Sequence, residues 1–111
     1  MRRKRRRSGM DPIRRGTTPT LFFEMPYPME YIEGGYMTFE QRGELLFEKT
    51  FQDTCVQVED GRVSVELATE ETLMLTEVEE LRVQVMVCLI DGKTAVSGNY
   101  EIPVQDTPAS C

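Results

Sequence analysis

Apolar and polar positions alternate most regularly between Leu81 and Leu89, where Leu81, Val83, Val85, Val87 and Leu89 are separated by Arg82, Gln84, Met86 and Cys88. A period of two places one set on a single face of an extended strand. Asp91-Gly92 follows, and Asp-Gly is a strong signal for a two-residue hairpin loop. That loop sets Val87 against Val96, Val85 against Gly98, Val83 against Tyr100 and Leu81 against Ile102. The other face pairs Arg82 with Glu101 and Gln84 with Asn99, as a half-solvated antiparallel pair requires. The hairpin from Leu81 to Ile102 is therefore expected to floor the core, with room over Gly98 for a further apolar group.

The same pattern organises the rest of the chain. Thr20 to Met25 reads as a strand with Leu21, Phe23 and Met25 on one face and Phe22 on the other, and Pro26-Tyr27-Pro28 ends it. The loop up to Gly35 carries Tyr27, Met29, Tyr31 and Ile32. Tyr36 to Phe51 reads as two strands joined by a three-residue loop, Gln41-Arg42-Gly43, which pairs Phe39 with Leu45 and Met37 with Phe47. Cys55 to Leu67 forms a hairpin about Asp60-Gly61 with Val58 facing Val63, Val56 facing Val65 and Glu59 facing Arg62. Thr69 is placed to cap a short helix near 69–75 whose first turn holds Glu70 and Glu71, with Leu73 and Leu75 as its anchors. Glu77, Glu79 and Glu80 read as a solvated connector.

About seven short strands, regularly punctuated by turns, predict an all-β chain folded as a small antiparallel sandwich of immunoglobulin-like architecture with that one short helix. The Cys, Trp, Cys pattern of antibody domains is absent, since the chain has no tryptophan. The expected division is a disordered basic head over 1–15, a sandwich over 16–104 and a frayed tail over 105–111.

Charge changes the picture at the N-terminus. Eight of the 13 Lys and Arg residues lie in 1–15, whereas residues 16–111 hold 18 of the 19 acids and five bases, a net charge of −13. An acidic body repels nucleic acid and favours solubility. For the block Arg2 to Arg7 two readings stand. It is an arm for nucleic acid or another anionic surface, or it is a translated purine-rich ribosome-binding site ahead of a true start at Met10, which Arg6-Arg7-Ser8-Gly9-Met10 resembles. The basic start is not followed by an apolar segment, and no run reaches membrane-spanning length, so a cytoplasmic product without membrane contact is expected.

Chemistry is sparse. The 111 residues contain no histidine, which removes the commonest general base and metal ligand. Cys55, Cys88 and Cys111 lack metal-type spacing, and three cysteines do not make a disulfide framework. The glycines sit in turn contexts and not in a phosphate-binding loop. The consecutive glutamates are a poor calcium pattern. The expectation is a non-enzymatic binding or assembly protein with no metal, no cofactor and no catalytic residues. Its candidate contact surface consists of Phe22, Tyr27, Tyr31 and Tyr36, because aromatic side chains dominate interface energetics.

Arg15-Gly16-Thr17-Thr18-Pro19-Thr20, Tyr36-Met37-Thr38-Phe39-Glu40-Gln41, Leu46-Phe47-Glu48-Lys49, Val63-Ser64-Val65-Glu66-Leu67 and Thr69-Glu70-Glu71-Thr72-Leu73, with Val83-Gln84-Val85 ahead of Asp91-Gly92, resemble a group of short prophage-encoded proteins of Gram-positive gut bacteria. That group is similar to the N-terminal β-sandwich domain of phage baseplate upper proteins. The resemblance spans Arg15 to about Val104. It implies a structural or assembly protein of a phage tail or baseplate, made in the host cytoplasm and carried in the virion, whose partners are other tail proteins or further copies of itself. It implies no catalytic or ligand-binding residues. Baseplate upper proteins continue into a receptor-binding region, and a bridging role would here need a separate chain. The competing expectations are a carbohydrate- or surface-binding module using the tyrosine loop, and a nucleic-acid-binding regulator using the basic head.

Overall fold

The computed structural model describes residues 11–106. Its nine strands are β1 (Ile13–Arg14), β2 (Thr20–Glu24), β3 (Ile32–Gln41), β4 (Glu44–Thr50), β5 (Val56–Glu59), β6 (Arg62–Glu66), β7 (Leu81–Leu89), β8 (Thr94–Ile102) and β9 (Val104–Gln105), with one helix, α1 (Thr69–Leu73). One sheet has the order β2-β6-β5 and the other β4-β3-β7-β8, while β1 pairs in parallel with β9. With β2 as the second strand of the standard immunoglobulin lettering, these sheets read B-E-D and C′-C-F-G. The expected immunoglobulin-like sandwich is present.

The alternating faces meet between the sheets. Leu21 and Phe23 of β2 and Val63 and Val65 of β6 face Met37 and Phe39 of β3 and Leu81, Val83, Val85 and Val87 of β7, all buried. Ile13 and Val104 close one end at 1% and 7% exposure. This moves a boundary: Ile13 to Arg15 belong to the domain and not to the head, because the Ile13 amide donates to the Pro103 carbonyl and the Arg15 amide to that of Gln105. Likewise Gln105 lies in β9, and Asp106 pairs with Arg15 at 2.9 Å. The head proper over 1–10, the proposed start at Met10, and tail residues 107–111 with Cys111 lie outside the described residues.

The hairpin about Asp60-Gly61 has the expected register throughout. The central hairpin has it only in part. Leu81 to Val85 meet Ile102 to Gly98 as expected, but Met86 meets Val96 and Val87 meets Ala95. Two offsets of one residue account for this. Gly92 donates to the Leu89 carbonyl and Leu89 to that of Lys93, so the loop holds three residues, Ile90, Asp91 and Gly92. Of these only Gly92 has positive φ, at 89°. Ser97 then bulges out of the ladder and restores the expected pairing. Val96 accordingly turns outward and is 49% exposed.

At the β3–β4 turn the expectation fails in the opposite sense. Arg42 and Gly43 both take positive φ, 58° and 75°, and form a two-residue type I′ turn pairing Gln41 with Glu44. The apolar faces are realigned by a bulge at Leu46, after which Phe39 meets Phe47, and not Leu45, and Met37 meets Lys49, and not Phe47. The Phe39 and Phe47 rings stack with centroids 4.7 Å apart.

The space over Gly98 is filled from within the same strand. A β-carbon there would lie 2.7 Å from the ring and hydroxyl of Tyr100, whose ring also packs 4.8 Å from that of Phe23. Helix α1 begins after Ala68, not Thr69: the Glu71 carboxylate accepts from the Ala68 amide at 2.8 Å. Leu75 is buried behind it, whereas Leu73 is half exposed. Thr72 does the other anchoring, donating to the Thr17 carbonyl at 2.8 Å and accepting from the Gly16 amide at 3.0 Å. Cys55 precedes β5, and Cys88 lies in β7.

Candidate functional site

The four aromatic residues singled out in the sequence do not form one surface. Phe22 alternates outward from β2 on the outer face of the three-stranded sheet, 50% exposed, with the Arg62 guanidinium 4.9 Å from its ring centroid. Tyr27 follows Pro26 and packs partly against the core at the end of the sandwich. Tyr31 ends a 3-10 turn, Met29–Tyr31, that Asp60 steadies by accepting the Met29 amide at 3.0 Å. Tyr36 lies outward on β3, on the opposite side of the sandwich from Phe22, between Thr50 of β4 and Met86 of β7.

A different grouping emerges around Tyr36. Cross-strand pairing carries one row across the outer face of the four-stranded sheet, Thr50, Tyr36, Met86 and Val96. The next row toward the tip is Gly34, Cys88 and Thr94. Beyond it the Ile90 amide donates to the Tyr31 carbonyl at 3.0 Å, which sets two exposed apolar side chains side by side, Ile90 at 61% and Tyr31 at 50%. This half of the face is apolar or uncharged at its centre, with Glu33, Glu48, Asp91 and Lys93 exposed around it. The other half is charged: Glu40 pairs with Arg82 in register, and Arg82 with Glu101, whose side chains meet at 3.4 Å.

Sequence reasoning missed Met86, Val96 and Ile90. Met86 and Cys88 interrupt an otherwise polar set on β7, and that interruption was the available signal. Val96 was hidden by the register offset, which had turned it inward. Ile90 was counted in the strand although the wider loop sets it at the tip.

One charged pair is well covered. Lys49 points inward from edge strand β4, 14% exposed in its side chain, and its ammonium pairs with the Glu71 carboxylate of α1 while lying 5.9 Å from the Phe47 ring centroid. Burial alone would lower its pKa. The hydrogen bond and charge of Glu71, with smaller contributions from Cys55 and Asp53, outweigh burial and raise it above the ordinary lysine value. Burial raises the Tyr100 pKa, against the lowering effect of a hydrogen bond with the Glu24 backbone. An inward charge on an edge strand discourages edge-to-edge pairing of sheets, so Lys49 has a structural role.

Among the described residues no three His, Cys, Asp or Glu side chains are grouped to hold a metal ion, and no helix is long and apolar enough to cross a membrane. What the arrangement offers is a contact face about the size of a few side chains, apolar at its centre and acidic at its rim.

Neither family models nor curated proteins match the chain. Among solved structures it is similar to the immunoglobulin-like domain in a strand-swapped dimer of mouse leukocyte-associated immunoglobulin-like receptor 1, at 13% identity and a TM-score of 0.45 over 92% of this chain and 96% of that one. It is also similar to the V domain of amphioxus IgVJ-C2, at 16% identity and a TM-score of 0.35 over 85% of this chain and 98% of that one.

Proposed function

We propose that this chain is a protein-contact module of a phage tail or baseplate, and that it engages its partner through the outer face of the four-stranded sheet near the β7–β8 tip. The observation that carries the contact surface is the row Tyr36, Met86 and Val96, continued at the tip by Tyr31 and Ile90. Val96, Tyr31 and Ile90 are exposed, and Tyr36 and Met86 are half-buried between them. Apolar side chains that adjoin across strands with charges around them have the composition of an interface centre with a polar rim. The tail assignment is supported by the sequence resemblance between Arg15 and Val104. Tyr31 and Tyr36 of the original candidates belong to this surface, and Phe22 and Tyr27 do not.

The test is compositional and then mutational. Particles are induced and purified, and their proteins identified by mass spectrometry, with a strain producing the Met86→Glu, Val96→Lys double variant alongside. The proposal expects the wild-type chain in the particle and the variant depleted at least tenfold, although it accumulates folded in the cell. Absence of the wild-type chain from particles refutes the tail reading. Equal incorporation of the variant refutes the surface.

A further inference from the structure

The two sheets end in four edge strands, β4 and β8 in one and β2 and β5 in the other. An unpaired edge invites a further strand, and proteins blunt it with bulges, inward charges or short length. Three of these edges are blunted. β4 bulges at Leu46, turns Lys49 inward and ties its Thr50 amide to the Asp53 carboxylate at 2.9 Å. β8 bulges at Ser97. β5 is four residues long, and its Val56 amide donates to the Asp53 carbonyl at 3.0 Å. β2 has none of these devices. Its register against β6 runs unbroken from Thr20 to Glu24, and its one charged side chain, Glu24, is exposed and not turned inward.

The ladder fixes where the backbone groups of β2 point. Met25 donates to the Gly61 carbonyl and Leu67 to that of Pro19, so Pro19, Leu21, Phe23 and Met25 direct theirs toward β6. Thr20, Phe22 and Glu24 direct theirs to the open side. β8 already holds those of Glu24, whose carbonyl accepts from the Ser97 hydroxyl at 3.3 Å and whose backbone also bonds to Tyr100. Among the described residues nothing bonds the amides or carbonyls of Thr20 and Phe22, and both residues are exposed.

We infer that β2 pairs antiparallel with β2 of a second copy about a two-fold axis at Leu21, joining the two three-stranded sheets into one of six strands. This register sets Thr20 of each copy opposite Phe22 of the other. The four hydrogen bonds it makes use the open amides and carbonyls of Thr20 and Phe22 in both copies and no other groups. Each open group thus meets its own complement under the two-fold, and that selects a second copy as the occupant. A register centred on Phe22 would instead need the Glu24 groups that β8 holds. With the axis at Leu21, Glu24 comes level with Thr18 of the second copy, so no like charges meet. The two Phe22 rings approach diagonally on the outer face, where positions offset by two lie about 7–8 Å apart. Phe22, which has no place in the contact face of the other sheet, here lies at the centre of a separate one.

The experiment uses the full chain, residues 1–111. Sedimentation equilibrium up to about 1 mM protein, the weak end of specific association, should show a monomer and a dimer in exchange. Each copy carries a net charge of −6, so the dimer should strengthen as salt screens the repulsion. Amide hydrogen exchange at Thr20 and Phe22 should slow as concentration rises. Phe22→Pro removes an amide that points away from β6 and leaves the ladder whole. With two of the four bonds lost, the dimer should weaken at least about tenfold. Phe22→Lys places on the edge a residue that natural edges use as a guard. It should weaken the dimer as well, and it keeps the test open if the proline variant does not fold. The Met86→Glu, Val96→Lys double variant should dimerise as the wild type does.

A chain that stays monomeric overturns the inference. So does protection of Thr20 and Phe22 that is independent of concentration, since the chain then covers its own edge. Association that weakens with salt reports charge pairing and overturns it too, as does a dimer that folded Phe22 variants leave intact. A dimer abolished by the double variant belongs to the other sheet and equally refutes this one. None of these readings depends on incorporation into particles, so this inference and the tail reading fail separately.

Discussion

Replacing Gln41 by Leu tests how the connector between α1 and β7 is held. Gln41 ends β3 and is 4% exposed. Its amide nitrogen donates to the carbonyls of Thr76 and Glu79, and its amide oxygen accepts from the Thr76 amide, all at 2.9 Å. These are three of the four hydrogen bonds a glutamine side chain can make, and all have near-optimal length. Leucine keeps the volume and removes all three. At about 1 kcal/mol net per hydrogen bond, the loss is about 3 kcal/mol. For a domain of this size that corresponds to a fall in Tm of roughly 12–24 °C. Urea unfolding of both proteins, followed by circular dichroism, measures it. Gln41→Glu supplies the control, since it keeps the acceptor for Thr76 but at neutral pH presents a carboxylate to two carbonyls. It should recover stability as pH falls through the raised folded pKa of the carboxyl, with the recovery complete below the unfolded value of about 4.3. A Gln41→Leu protein within about 0.5 kcal/mol of wild type, the range of an ordinary surface substitution, refutes the claim that this side chain holds the connector.

Gly98→Ala should cost about 1–3 kcal/mol, the usual range for overpacking, because the new methyl meets the Tyr100 ring, and Tyr100→Phe in the same background should not restore it since the ring remains. Both raised pKa values predict alkaline unfolding. Lys49 and Tyr100 bind their protons more tightly when folded, so their contributions are complete below the unfolded values of about 10.4 and 10 and decline as pH rises through the folded ones. Lys49→Met should flatten the loss of stability that sets in above about pH 10.4, measured by denaturant midpoints across that range. Met86→Glu, on the solvent side of β7, should leave the urea midpoint within about 0.5 kcal/mol of wild type, which separates a binding defect from a folding one.

The fold was legible where one face of a strand is buried and the turn is short. Leu81 to Val85 and the whole Val56 to Val65 hairpin follow their alternation, because a slip there would bury charge. Legibility failed at turns whose geometry depends on an unpaired residue elsewhere. A two-residue loop sets Glu40 opposite Leu45, a mismatch of faces that favours a three-residue loop on alternation alone, yet Arg42 takes the two-residue turn and the bulge at Leu46 repairs the mismatch. The candidate surface suffered for the same reason. Exposed aromatics are visible in a sequence, but which of them share a face depends on register, and Val96 changes face when Ser97 leaves the ladder. Tyr36 was found by residue type, while its neighbours Met86 and Val96 became visible only through pairing.

The two unpaired residues of the central hairpin, Ile90 at the tip and Ser97 in β8, also have a kinetic meaning. Returning Ser97 to the ladder would draw Ile90 into it opposite Lys93, narrow the loop to Asp91-Gly92 and swing Val96 from solvent toward the core. The same residues thus support two alignments that differ only outside Val85 and Gly98. Interchange between them requires breaking the outer pairs and leaves the inner ladder intact. Ser97 biases the choice, since its hydroxyl reaches the Glu24 carbonyl of the other sheet at 3.3 Å in the observed alignment. A partner that bound Val96 in its outward position would therefore favour the observed alignment over the narrower one.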